Sequence, residues 1–250
     1  MNNKKSERYE EEAVNLLDNH RETDNTAQIE SFKLSHTLRI DFMQKVYTLL
    51  SIQLFITFAW TILAINNVQV HAFIVQNSFM LMLAGILSII SLYSLICFLD
   101  FQRTVPHNYI MLIIFTLCEA YIVAYICCFT QPSVVYSAGT MTLVVCLALT
   151  IYAFTTKRDF TMMGGMLFVL LSVFLVASIF MIFIKIPLVR IVYHVIGVLL
   201  FGFYLVYDTQ LIMTNKSMTY SIDDYIAATL NIYLDIINIF LEILQLFESK

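Results

Sequence analysis

Two aspartates, Asp208 and Asp235, stand inside the last two apolar stretches of the chain, IGVLLFGFYLVYDTQLIM and YIAATLNIYLDIINIFLEILQLF. A carboxylate at bilayer depth costs about 2.5–3.5 kcal/mol on insertion scales, so it faces a partner, a water-filled cavity or an ion path. Two such groups on consecutive helices point to one shared site. Their chemistry is proton exchange, or coordination of a hard cation such as calcium, which prefers carboxylate and carbonyl oxygens.

The seventh apolar stretch adds a polar stripe: Asn231, Asp235, Asn238, Glu242 and Gln245. Their spacings of 4, 3, 4 and 3 put them on one helix face, which must look into a bundle rather than at lipid. The sixth stretch repeats this with His194, Gly197, Phe201, Tyr204 and Asp208. At 1.5 Å per residue, Asp208 lies about 8 Å from the end of its helix and Asp235 about 14 Å from the start of its own, so the two can meet. His194, about 21 Å from Asp208, reads as an interfacial or bridging group. Glu119, in FTLCEAYIV, is a further intramembrane acid that lines the same cavity or bonds a neighbouring helix.

The elements that position these groups follow from composition. Of 250 residues, 60% are hydrophobic and 13% charged, against about 25% charged in soluble domains. Mean hydropathy is +0.80. A bilayer core needs about 20 apolar residues per helix, and that length recurs at 43–65, 78–99, 109–130, 134–154, 162–184, 191–213 and 226–247. The expected fold is therefore all-α, a polytopic seven-transmembrane-helix bundle over residues 42–250. Residues 1–41 form a polar acidic tail with nine acids and six bases, expected to be disordered. Lys33, Arg39, Lys45, Arg103, Lys157, Arg158 and Lys216 flank one side, and Lys185, Arg190 and Lys250 the other. That bias predicts a cytosolic amino terminus. No signal peptide is expected ahead of the first span, and the sequon Asn215-Lys216-Ser217 is expected to stay unmodified on a cytosolic turn. The five cysteines lie in apolar spans without zinc spacing and read as small buried hydrophobes. Gly164-Gly165 reads as a site of close packing.

Several blocks resemble one family in order: FMQKVYTLLSIQLFITFAW, VPHNYIMLIIFTLCEAYIV, VCLALTIYAFTTKRDFT, YDTQLIM and SIDDYIAATLNIYLDIINIFLEILQL. From about residue 40 onward the chain resembles the transmembrane Bax inhibitor motif family, nearest its lifeguard branch. The resemblance implies a seven-helix bundle of the endoplasmic reticulum, Golgi or related membranes, a pH-sensitive calcium leak and suppression of cell death. It implies a proton-sharing pair at Asp208 and Asp235, with calcium as the transported ion and no cofactor. It also implies a closing arginine near the second connection, for which Arg103 is the candidate latch. A second-span glutamate of some bacterial members has no counterpart here, since Leu92 and its neighbours are apolar. Glu119, Asn231, Asn238, Glu242 and His194 are the candidate path-lining residues.

The alternative is a non-conducting membrane scaffold acting through cell-death regulators or other membrane proteins. An intramembrane aspartyl protease also places aspartates on consecutive helices, but its GxGD and Pro-Ala-Leu motifs are absent, so no enzymatic activity is expected. A seven-span receptor would carry DRY and NPxxY, also absent. The lipid bilayer and calcium are the expected partners, and nucleic acid is not. Two carboxylates in one low-dielectric site cannot both ionise cheaply. They are expected to titrate as a unit, between roughly pH 5 and 8.

Overall fold

The computed structural model describes residues 34, 37–98, 102–213, 221 and 223–248. Most of the acidic tail, the turn with Asn215 and Lys216, and Lys250 lie outside the described residues. Among those described there are helices and turns and no strand, as the apolar periodicity requires. Seven helices are long and apolar enough to cross a membrane.

These are α1 (Thr37–Asn66), α3 (Ser78–Cys97), α4 (His107–Cys128), α5 (Pro132–Thr155), α6 (Gly164–Met181), α7 (Pro187–Met213) and α8 (Tyr225–Glu248). A short helix, α2 (Val68–Gln76), fills the first connection. It was not expected from the sequence, although its cap was legible: the Asn67 side chain accepts the Gln69 and Val70 N–H groups, the usual capping chemistry. Proline opens both α5 and α7, where its missing N–H costs nothing. A 3-10 turn, Thr161–Met163, leads into α6.

The chain divides between Phe42 and Met43, and the second unit, Met43–Lys250, holds every candidate site residue. Its axis is α8. In that span 67% of the most apolar window is buried, against 11–44% for the other spans, so α8 is enclosed and the rest form its wall. It packs on α7 and α5 most extensively and also touches α4 and α3. From α1, Phe58 meets Phe240 edge to face with centroids 5.5 Å apart. The outer faces carry exposed Phe55, Ile89, Phe168 and Phe183, which in a bilayer meet acyl chains.

Lipid is as apolar as leucine, so spans associate through close packing and buried polar contacts. Gly164 shows the first: a Cβ there would sit 2.5 Å from the Tyr207 hydroxyl of α7. Gly165, expected to share that role, has open space around its Cβ position. Gln210 shows the second, accepting the Phe160 N–H and donating to the Arg158 carbonyl. One buried amide thereby ties the loop before α6 to α7.

Candidate functional site

Asp208 and Asp235 come together between α7 and α8, their carboxyls within hydrogen-bonding reach of one another. Each side chain belongs to a residue only 6% exposed. Both helices present them from the polar faces that the sequence spacing defines. A bond between two carboxyl oxygens needs a proton on one of them, because ionised carboxylates only accept. A bond between them thus holds at least one proton. Asp235 Oδ2 is fully buried. Cys146 of α5 and Tyr204 and Tyr207 of α7 lie within electrostatic range of the acids.

The other candidates fall in three places. His194 and Glu242 pair across the same two helices, with Nδ1 2.7 Å from Oε2. Gly197 makes room for them, since a Cβ there would lie 2.7 Å from the Glu242 carboxyl carbon. A cavity of 520 Å³ opens beside His194, lined also by Ser178, Arg190, Tyr193, Gln245 and Glu248. Of the stripe amides, Asn238 donates to the Leu234 carbonyl one turn back, a helix-satisfying bond, while Asn231 is half-buried. Glu119 is not brought to the pair. It accepts from Ser88 Oγ at 2.5 Å between α3 and α4.

Arg103, the candidate latch, is engaged elsewhere. Its Nε and Nη2 donate to Asp224 Oδ1 and Oδ2 at 2.8 and 3.1 Å. The carboxylate raises the guanidinium's affinity for its proton, first through the hydrogen bond and then through its charge. Asp224 also accepts the Ser221 N–H at 2.8 Å, and Ser221 Oγ accepts from the Asp223 N–H. The reading of the sequence missed Asp224. Its signal was present in SIDD ahead of an apolar run, a reciprocal capping arrangement with aspartate in the glutamate position.

Among the described residues no group of three or more His, Cys, Asp or Glu side chains is placed to hold a metal ion. The pair offers two carboxylates, short of the six to eight oxygens of a resident calcium site. The five cysteines are free thiols; Cys127 and Cys146 are buried as expected, whereas Cys97 is exposed on its span.

The fold and the site together define a polytopic helical membrane protein with a buried carboxyl pair between its last two helices. The model of the family described as "Inhibitor of apoptosis-promoting Bax1" matches residues 39–250. Protein lifeguard 3 of Mus musculus is 34% identical over 85% of this chain and 70% of its own length. The human Protein lifeguard 3 is 34% identical over 87% of this chain and 70% of its own. Protein LIFEGUARD 4 of Arabidopsis thaliana is 35% identical over 86% of this chain and 87% of its own. This chain belongs to the Bax inhibitor family and is similar to its lifeguard proteins.

Proposed function

We propose that this protein is a pH-sensitive calcium leak of internal membranes, endoplasmic reticulum or Golgi, that lowers stored calcium and restrains cell death. The reading places its amino terminus in the cytosol. The observation that carries it is the burial of Asp208 and Asp235 side by side between the last two helices. Membership of a family described as inhibiting apoptosis-promoting Bax1 supports the cell-death part.

The mechanism follows from proton count. With one proton between them, the carboxyls hold α7 to α8 by a hydrogen bond. Loss of that proton leaves two negative groups facing each other in a low-dielectric seam, and their repulsion favours separation or a compensating cation. A divalent hard cation answers both charges at once. Proton and calcium thus compete for the same oxygens, which couples flux to pH.

Calcium flux into proteoliposomes containing only this protein tests the reading. Wild type should conduct, with a pH profile that Asp208→Asn and Asp235→Asn each flatten. Two variants that keep the wild-type profile would remove the pair as the sensor. Absence of flux in the wild type would leave the non-conducting scaffold.

A further inference from the structure

Where α8 finishes, three helix ends come together: the end of α6, the first turns of α7 and the last turn of α8. The 520 Å³ cavity beside His194 lies between them. Its wall takes Arg190, Tyr193 and His194 from α7, Gln245 and Glu248 from α8, and Ile182 from the end of α6. On both α7 and α8 these residues are one turn apart, a spacing that puts them on one helix face. The volume is that of a small-molecule site, about 300–1,000 Å³.

The charges on this wall have not cancelled. His194 already has the Glu242 carboxylate at 2.7 Å. Arg190 and Glu248 remain, one of each sign. Among the described residues the ion pairs are those of Arg103 and His194, so Arg190 and Glu248 share the cavity without meeting. Arg190 Nε donates to the Ile184 carbonyl at 3.1 Å, which steadies the side chain and leaves its Nη hydrogens as donors. Glu248 Oε2 accepts only a long bond from Thr130 Oγ1, at 3.4 Å. A cation and an anion held apart on one wall are the complement of a zwitterion, each end of which would gain a charge-assisted hydrogen bond.

The surroundings select among zwitterions. Ile182, Phe183, Ile186 and Leu188, in the connection that leads to Arg190, are all exposed. In a bilayer they meet acyl chains, so a ligand with such chains reaches the cavity from the membrane. A choline group is held by open aromatic faces. The Tyr193 ring is stacked on Phe174 at 4.4 Å and met by the His194 ring at 79°. A primary ammonium instead brings three N–H donors, which suit the Glu248 carboxylate and the Gln245 amide oxygen. A headgroup of net negative charge would set its excess charge against Glu248. We propose that this cavity seats the headgroup of phosphatidylethanolamine, its phosphate on Arg190 and its ammonium on Glu248 and Gln245. The site shares no residue with the aspartate pair and does not rest on the leak reading.

Native mass spectrometry of the purified full chain tests this, by titration in detergent with phosphatidylethanolamine, phosphatidylcholine or phosphatidylglycerol of identical acyl chains. Wild type should retain one ethanolamine lipid, with an affinity at least about tenfold above the other two, the worth of one charge-assisted hydrogen bond. Arg190→Gln should weaken that binding by about tenfold. Glu248→Gln should erase the preference over the choline lipid, and Asp208→Asn should change neither. Equal affinity of the wild type for all three lipids, or a tighter hold on phosphatidylglycerol, would overturn the proposal. A preference that survives in a folded Glu248→Gln would overturn it too. Soluble phosphoethanolamine binding as tightly as the lipid would make a water-borne ligand the occupant and overturn it equally. If Glu248→Gln fails to fold, Gln245→Leu takes its place, and an undiminished preference there counts against the proposal in the same way.

Discussion

Asp224 and Asp235 belong to one continuous stretch of chain, eleven positions apart, and the molecule treats them in opposite ways. Asp224, at the start of α8, accepts two guanidinium hydrogens from Arg103 and the Ser221 N–H. Asp235, inside the bundle, has another acid as its partner. A carboxylate surrounded by donors serves as structure. One that shares a proton with a second carboxyl has two accessible charge states, so its environment can be read by pH. The difference arises because Arg103 reaches the helix end from the second connection, whereas the charged neighbour of Asp235 among the described residues is another acid.

The largest effect expected from this contrast is on pH dependence. Asp235→Asn should abolish the pH response of calcium flux over roughly pH 5–8, whereas Asp224→Asn should leave the shape of the profile intact. Equal flattening by both, measured in the same proteoliposomes, would break the comparison.

A smaller effect concerns the His194–Glu242 pair, which stands between the two extremes because an acid there meets a titratable base. Gly197→Ala pushes a methyl group into the Glu242 carboxyl and forces that side chain off His194. The expected loss is about 1–3 kcal/mol, the usual cost of overpacking. Thermal unfolding in detergent measures it, and a melting temperature equal to wild type would show that the Glu242 chain simply swings aside. The pH profile of flux should keep its shape, because the aspartates are untouched.

The smallest effect belongs to the fully satisfied acid. Arg103→Gln removes an ion pair whose guanidinium is 41% exposed. Solvent screens such a pair, so the fall in melting temperature should be slight and should shrink further in high salt. A salt-independent fall would show that Arg103 acts through something other than its charge.

The seven spans and the carboxyl pair were legible because both follow from quantities a sequence carries: apolar length, and the face and depth of a residue on a helix. Asp208 and Asp235 had matching depth, so their meeting needed no further information. Partner choice among the remaining groups was not legible. Periodicity put His194 and Glu242 on inward faces but not against each other, since that depends on how two helices are rotated and how closely Gly197 lets them approach. Arg103 went to Asp224 rather than toward the pair because a capped helix start presents a carboxylate at the membrane edge, within reach of a connection loop. Glu119 departed from the aspartate path because α4 meets α8 on the Tyr233 side. Helix order along the chain does not reveal which side a span will take.

Gln210 stands two positions after Asp208 and so points away from it, into the loop at Arg158–Phe160 that it grips by both an N–H and a carbonyl. The loop therefore cannot stay behind when α7 turns. If α7 moves when the aspartates lose their shared proton, as proposed above, the loop carrying Lys157 and Arg158 is tied to that movement at the bilayer surface. A spin label at Lys157 would then report the protonation state of a buried pair from the aqueous side, without any probe entering the core.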